Sequence, residues 1–263
     1  KTTDGLDRLE KIRQQYNAQL NPAFYSVTYG AGGSTQAGTL QTVRMIHGAG
    51  DVVAPHLSCV GNTRALVAEL LSHYKELGIK RMVALRGDLP SGMGQDGEFH
   101  HANELVEYTR SQTQDWFHIE VAAYPESHPQ AKSPEKDIDF FVDKVNAGAT
   151  RAITQYFYNI DAYFSFVDEV QKLGVDIPII PGIMPITSYD KLINFSTNCG
   201  AEIPSWILNR LKLYRNDAKS LIDFGEDIVS EMCLKLKDGG VKNFHFYTMN
   251  KAEHVLSIAK RIL

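Results

Sequence analysis

Cysteine is scarce in this chain of 263 residues: Cys59, Cys199 and Cys233 are three in number, widely separated, and form no ligand-spaced pair. That argues against a disulfide framework or a zinc site, and makes a reducing cytoplasm the default compartment. An excess of positive charge is also missing. Lys and Arg number 27 against 31 Asp and Glu, a formal net charge of −4 with a pI near 6.1. The electrostatic footprint of a nucleic-acid or anionic-membrane binder is therefore lacking. Long apolar runs are absent as well. The most apolar stretch, Ile177 to Ile186, is broken by Pro178, Pro181 and Pro185, so nothing is long enough to span a bilayer. The first residues form a charged, helix-like segment rather than a signal peptide. What is present is 43% hydrophobic and 22% charged residues, the balance of a soluble globular protein large enough to bury a core without staples.

Short β-rich runs alternate with longer segments of helical period. Strands are predicted over Phe24–Thr28, Val52–Leu57, Arg81–Arg86, Ile119–Tyr124, Arg151–Gln155, Ile177–Ile183 and Asn243–Thr248. Helices are predicted over 5–18, 35–48, 63–77, 101–112, 134–146, 161–173, 188–198, 218–238 and 250–262. Ser133-Pro134 reads as an N-cap followed by Pro at the first helical position, and Gly148 follows that helix. Thr63 precedes the apolar set Leu66, Leu70, Leu71 and Tyr74, with Gly78 at the end. The alternation predicts an α/β fold with a parallel sheet: a (β/α)8 TIM barrel first, an open doubly wound sheet second. No linker or repeat divides the chain, so residues 1–263 are expected to form one domain. The strand count is one short of a barrel. Either a strand is hidden, or the first lies upstream of Lys1.

Catalytic groups in a barrel come from the carboxyl ends of the strands and the loops after them. Those ends are unusually polar here. They read Thr28-Tyr29-Gly30-Ala31-Gly32-Gly33-Ser34, Pro55-His56-Leu57-Ser58, Leu85-Arg86-Gly87-Asp88, Tyr124-Pro125-Glu126-Ser127-His128, Thr154-Gln155-Tyr156 and Tyr247-Thr248-Met249-Asn250. Each has a plainer reading beside the functional one. The Gly30–Ser34 turn serves equally as a flexible loop, and it lacks the dinucleotide G-x-G-x-x-G spacing. Arg86 and Asp88 form either a local ion pair or a ligand site, since both are costly at a strand end unless paired. His56 is a core histidine or a ligand contact; His128 a loop residue or a site residue. The aromatic run after Gln155 suits a core, and His245, alternating with Phe244 and Phe246, suits a packed strand. His100-His101 is a poor metal pair, because adjacent helical residues point apart. No nucleophile elbow or P-loop is present. An arginine, a carboxylate, histidines, amides and aromatics together suit a cofactor that carries the chemistry itself.

The same strand ends carry a resemblance. Val27-Thr28-Tyr29-Gly30-Ala31, Ala54-Pro55-His56-Leu57, Leu85-Arg86-Gly87-Asp88 and Ala122-Ala123-Tyr124-Pro125-Glu126-x-His128 resemble the methylenetetrahydrofolate reductase family. So do Arg151-Ala152-Ile153-Thr154-Gln155-Tyr156-Phe157, Ile180-Pro181-Gly182-Ile183-x-Pro185 and Phe244-His245-Phe246-Tyr247-Thr248-x-Asn250. The motifs run in order through nearly the whole chain. The resemblance implies a (β/α)8 barrel that holds non-covalent FAD at its strand ends. NAD(P)H reduces the flavin and leaves; 5,10-methylenetetrahydrofolate then takes its place and is reduced to 5-methyltetrahydrofolate. It also implies a cytoplasmic, self-associating oxidoreductase of one-carbon metabolism with no nucleic-acid or membrane partner and no metal. No ribose-recognition pattern separates NADH from NADPH.

Residue by residue, the resemblance places Thr28, His56, Arg86, Gly87, Asp88, His101, Ala102, Tyr124, His128, Ala131, Asp137 and Lys144 around FAD. Arg86 and Lys144 would answer the pyrophosphate charge, and Tyr124 would pack. Asp88, Gln155 and Phe195 would be the catalytic set: Asp88 tuning flavin and folate, Gln155 bonding the pterin or nicotinamide amide, Phe195 stacking on the ring. Lys191 and Lys251 would meet the folate tail. They depart from a family Gln and Arg respectively, and Lys251 loses the bidentate fork. Phe140 and Asp143 stand where relatives carry polar or basic residues on FAD. The family's general acid, a Glu on the first strand, is expected upstream of Lys1, which resembles the basic residue closing that motif. The competing readings are a proline-dehydrogenase-like flavin barrel and a barrel that binds flavin or folate without turnover.

Overall fold

The protein is described by a computed structural model over residues 3–29, 33–87 and 97–263. In chain order the elements are α1 (Thr3–Gln19), β1 (Tyr25–Val27), α2 (Gly33–Gly48), β2 (Val53–Ser58), α3 (Arg64–Glu76), β3 (Arg81–Leu85), α4 (Ala102–Thr113) and β4 (His118–Ala123). Then follow α5 (Pro134–Asn146), β5 (Arg151–Tyr156), α6 (Ile160–Lys172), β6 (Ile179–Ile183), α7 (Tyr189–Cys199), α8 (Ser205–Leu213), α9 (Ala218–Asp238), β7 (His245–Phe246) and α10 (Glu253–Ile262). Two compact units share them. The first holds Lys1–Asn17, Asn21–Ala122 and Phe140–Ala152; the second holds Ala18–Leu20, Ala123–Asp139 and Ile153–Leu263.

In the first unit β1 to β4 pair in parallel and in chain order, with Tyr25 opposite Val53, His56 opposite Val83 and Arg81 opposite His118. The Thr150 N–H donates to the Ile119 carbonyl at 2.8 Å, carrying the ladder to the start of β5. In the second unit β6 and β7 are parallel, Gly182 lying opposite His245. Strand order equal to chain order is the topology of the (β/α)8 class, whereas a doubly wound sheet reverses order at a switch point. Strands β2 to β6 are buried at most positions, as parallel strands covered on both faces must be; β2 keeps five of its six positions buried.

Helix ends follow the local chemistry. Thr63 accepts the Leu66 N–H at 3.2 Å, and Gly78 turns at φ +80° beyond α3. The Ser133 hydroxyl accepts the Lys136 N–H at 3.3 Å above Pro134. The buried face of α3 is Val67, Leu71 and Tyr74, so Leu66 and Leu70 sit at its margin rather than its centre. Helix α8 was not expected from the sequence. Pro204 starts it and Ile207 and Leu211, one turn apart, bury it, a pattern too short to stand out from the surrounding loop.

Glycine 182 sets the spacing of the strand ends in the second unit. Its N–H donates to the Thr154 hydroxyl at 2.9 Å, and the Tyr247 hydroxyl donates to the Thr154 carbonyl at 2.8 Å. A Cβ on Gly182 would lie 2.1 Å from the Thr154 oxygen and 2.6 Å from the Tyr247 ring. Backbone and a wedged ring cannot both yield, so Gly182→Ala is expected to cost about 3 kcal/mol or more. Urea unfolding midpoints of the variant and parent check this.

Candidate active site

The first unit brings the carboxyl ends of its strands into one polar edge. Thr28 follows β1, and its carbonyl accepts the Thr39 hydroxyl at 3.1 Å. Arg86 and Gly87 follow β3. The Arg86 carbonyl accepts from the Cys59 and Val60 N–H groups, each at 3.1 Å, and from the Ser58 hydroxyl at 3.0 Å. Gly87 turns at φ +83°, and a Cβ there would fall 2.0 Å from the Ser58 hydroxyl oxygen. Its resemblance to the family glycine thus has a local cause: left-handed backbone pressed against a neighbouring side chain. Lys144, in the last turn of α5, donates to the Ala122 carbonyl at 2.6 Å, which carries its charge to the end of β4. His56 is half-buried within β2.

His101 precedes Ala102 at the start of α4, and its exposed ring stacks on Phe140 with centroids 5.2 Å apart and planes 19° from parallel. The departure at Phe140 therefore supplies an aromatic partner where a polar side chain was expected. Asp143 is exposed on α5. Asp88 and the Gly30–Gly32 turn lie outside the described residues.

The second unit holds the remaining expected residues in two groups. In the loop after β4, the Tyr124 and His128 rings meet edge to face at 4.6 Å. Asp137 accepts the His128 N–H at 2.8 Å, and the His128 Nδ1 accepts the Gln130 N–H at 3.0 Å. Ala131 closes this turn by donating to the His128 carbonyl at 2.9 Å. Asp137 thus shapes the loop from the first turn of α5. Gln155, near the end of β5, accepts the Tyr156 N–H at 3.0 Å, and its side-chain nitrogen has no partner among the described residues.

The other group surrounds a cleft of about 670 Å³ of empty space, part of it open to solvent. Its walls are the segment after β6, the start of α7, the turn after β7 and the start of α10. Lys191 and Phe195, one helical turn apart on α7, line the cleft together with the buried Leu192, while Ser196 is buried and does not line it. Ser188 caps that helix by accepting the Lys191 N–H at 3.4 Å. Lys251 enters from a tight turn in which Met249 and Asn250 both take positive φ, 50° and 55°. The three sequence-predicted tail and stacking residues Lys191, Phe195 and Lys251 therefore share one cleft. No carboxylate lines it among the described residues. Sequence reasoning missed His254, which also lines the cleft.

Other expectations resolve plainly. His245 packs on Tyr247 at 5.4 Å, and burial pushes its pKa down to about 4, as suits a neutral strand histidine. Cys59 and Cys233 are buried free thiols raised to about 12 by desolvation, the opposite of an activated nucleophile. No helix among the described residues is long and apolar enough to cross a membrane.

A family model described as "Methylenetetrahydrofolate reductase" matches residues 1–263. The chain belongs to the methylenetetrahydrofolate reductase family. The 5,10-methylenetetrahydrofolate reductase of Salmonella typhimurium is 40% identical over 237 residues, 90% of this chain and 79% of that protein. That of Pectobacterium carotovorum is 38% identical over 237 residues, 90% of this chain and 78% of that protein. A solved structure of an uncharacterized protein from Clostridium thermocellum, which binds two copies of 5-methyl-5,6,7,8-tetrahydrofolic acid, superposes with a TM-score of 0.67. At 15% identity over 99% of this chain and 89% of that one, it shares the fold. As a member of this family the chain is an oxidoreductase acting on methylenetetrahydrofolate.

Glu126, in the reductase motif after β4, has an unusual carboxyl. Its Oε2 accepts the Glu202 N–H at 2.9 Å, while its buried Oε1 has no partner among the described residues. Desolvation raises its pKa to about 7, against the lowering effect of that one bond. A proton is therefore held more tightly in the folded chain than in the unfolded one. The carboxyl imposes no penalty below the unfolded value of 4.5, and its cost grows as pH rises to about 7. Glu126→Gln, which keeps the acceptor, is expected to melt higher than the parent at pH 8 and equally at pH 4. Thermal melts at the two pH values measure the gap.

Proposed function

We propose that this chain reduces 5,10-methylenetetrahydrofolate to 5-methyltetrahydrofolate with FAD and NAD(P)H, its residues 1–263 acting as one catalytic domain in a cytoplasmic homo-oligomer. The reading rests most on the cleft that gathers Lys191, Phe195 and Lys251, cationic and aromatic, with no carboxylate in its lining among the described residues. A folate presents an aromatic ring system and an anionic glutamate, which such walls complement.

Each unit, taken by itself, carries side chains whose chemistry suits part of a flavin dinucleotide. In the first, Arg86 and Lys144 bring positive charge to the strand ends. Thr28, His56 and the backbone at His101 and Ala102 add polar contacts. In the second, Tyr124 and His128 offer ring surface on a loop that Asp137 and Ala131 hold in shape. A flavin held by these residues would supply the hydride chemistry that links NAD(P)H to the folate.

The chain's own groups position and discriminate. Gln155 spends its oxygen on the Tyr156 N–H, so its side-chain nitrogen remains to donate to a pterin or nicotinamide carbonyl. Phe195, 38% exposed, presents a ring face for stacking. Lys191, without a partner among the described residues, and Lys251 hold the tail carboxylates. Asp88 tunes flavin and folate by its charge.

One anaerobic experiment on the purified protein tests the reading. A flavin spectrum should bleach with NADH or NADPH and return on adding methylenetetrahydrofolate. Absence of bleaching overturns it, and bleaching without folate-driven return favours a proline-dehydrogenase-like enzyme. Lys191→Ala is expected to raise the folate KM about fivefold and leave bleaching by the nicotinamide unchanged. Asp88→Asn should slow the folate half-reaction more than the nicotinamide one.

A further inference from the structure

We propose that His254, oriented by the buried carboxylate of Glu226, is a third anion-binding residue of the cleft and reads the glutamate carboxylate of the folate tail. The proposal rests on the folate reading above and extends it to a residue that the family motifs do not cover.

His254 lies in the first turn of α10 and is 9% exposed, yet it lines the same cleft as Lys191 and Lys251. Its Nδ1 meets Glu226 Oε1 at 3.0 Å. Glu226, on α9, is also 9% exposed. Its second oxygen accepts the Ser257 hydroxyl and lies 3.7 Å from Arg261 Nη2, while Arg261 Nη1 pairs with Asp227. The carboxylate is thus fixed from three sides and in turn fixes the ring.

The His254 Nε2 has no partner among the described residues, and it is not sealed from solvent. A carboxylate on Nδ1 settles which ring nitrogen is left to work, as second-shell carboxylates do for ligating histidines. A ligand carboxylate on Nε2 would place the ring between two anions, and an imidazolium donates to both. Stability alone does not account for the pair. A buried histidine–carboxylate pair between two apolar helix faces is no better for packing than well-fitted aliphatic residues. The cleft supplies the remaining reason: Lys191 and Lys251 already mark it for a negative group, and no acidic side chain lines it among the described residues.

A chemical cycle between residue and ligand tests this on the flavin-loaded protein. Calorimetry would compare 5-methyltetrahydrofolate with the methyl amide of 5-methyltetrahydropteroate, which keeps the benzoyl amide and carries no tail carboxylate. His254→Leu should weaken the folate about tenfold and leave the pteroate amide unchanged, the loss of one charge-assisted hydrogen bond. Glu226→Gln should give a smaller loss with the same ligand selectivity. Retained binding of the pteroate amide shows that the variant cleft is folded. Equal weakening of both ligands, or undiminished folate binding, overturns the assignment of His254. Failure of the parent protein to bind either ligand overturns the folate reading itself.

Discussion

The missing side chain at Gly182 is the constraint on which the second unit's cleft depends. Because no Cβ stands there, the Thr154 hydroxyl and carbonyl can take the Gly182 N–H and the Tyr247 hydroxyl together. Three strands are thereby brought to a common level at their carboxyl ends. The segments leaving β6 and β7 then diverge from a fixed origin, one toward Ser188 and α7, the other through the Met249–Asn250 turn toward α10. Lys191 and Lys251 owe their shared cleft to that origin. Neither residue is near the other in sequence, and each sits on a helix or turn whose direction is set by the strand before it.

Electrostatic asymmetry runs through the same unit. The cleft wall carries cationic side chains, while the carboxylate that supports it, Glu226, is withdrawn behind His254 and held by Ser257 and Arg261. Burying charge is costly unless every partner is in place. Here the cost falls one layer behind the surface that meets ligand, where it orients a ring rather than competing with an incoming anion. Glu126 shows the alternative: a carboxyl with a single bond relieves its burial by holding a proton.

In the first unit, order at the strand ends comes from backbone oxygens as much as from side chains. The Arg86 carbonyl ties β3 to the end of β2, and the Ala122 carbonyl tethers Lys144 at the end of β4. Cations tethered to carbonyls are pre-positioned without being neutralised, since a carbonyl removes no net charge. A fixed positive charge suits a ligand carrying pyrophosphate.

Much of this was legible in the chain itself. Alternation of short β-rich runs with helical periods determined the α/β class and all seven described strands, because period two and period 3.6 are local properties of side-chain direction. Thr63, Ser133-Pro134 and Gly78 marked helix ends because caps act within a few residues. The ordered motifs carried the resemblance, and the residue-by-residue match that followed from it named Lys191, Phe195 and Lys251. Other features needed the tertiary structure. Helix α8 is only two turns long, so its stability comes from burying Ile207 and Leu211 and not from propensity. His254 read as one polar residue at the start of an amphipathic helix, and Glu226 as one charge on a long one. Their pairing spans 28 positions, and only the packing of α10 on α9 turns two isolated polar residues into an oriented ring facing a cleft. Local periodicity determines which elements form; which distant polar groups meet is decided by packing, because no sequence period encodes a contact between separate helices.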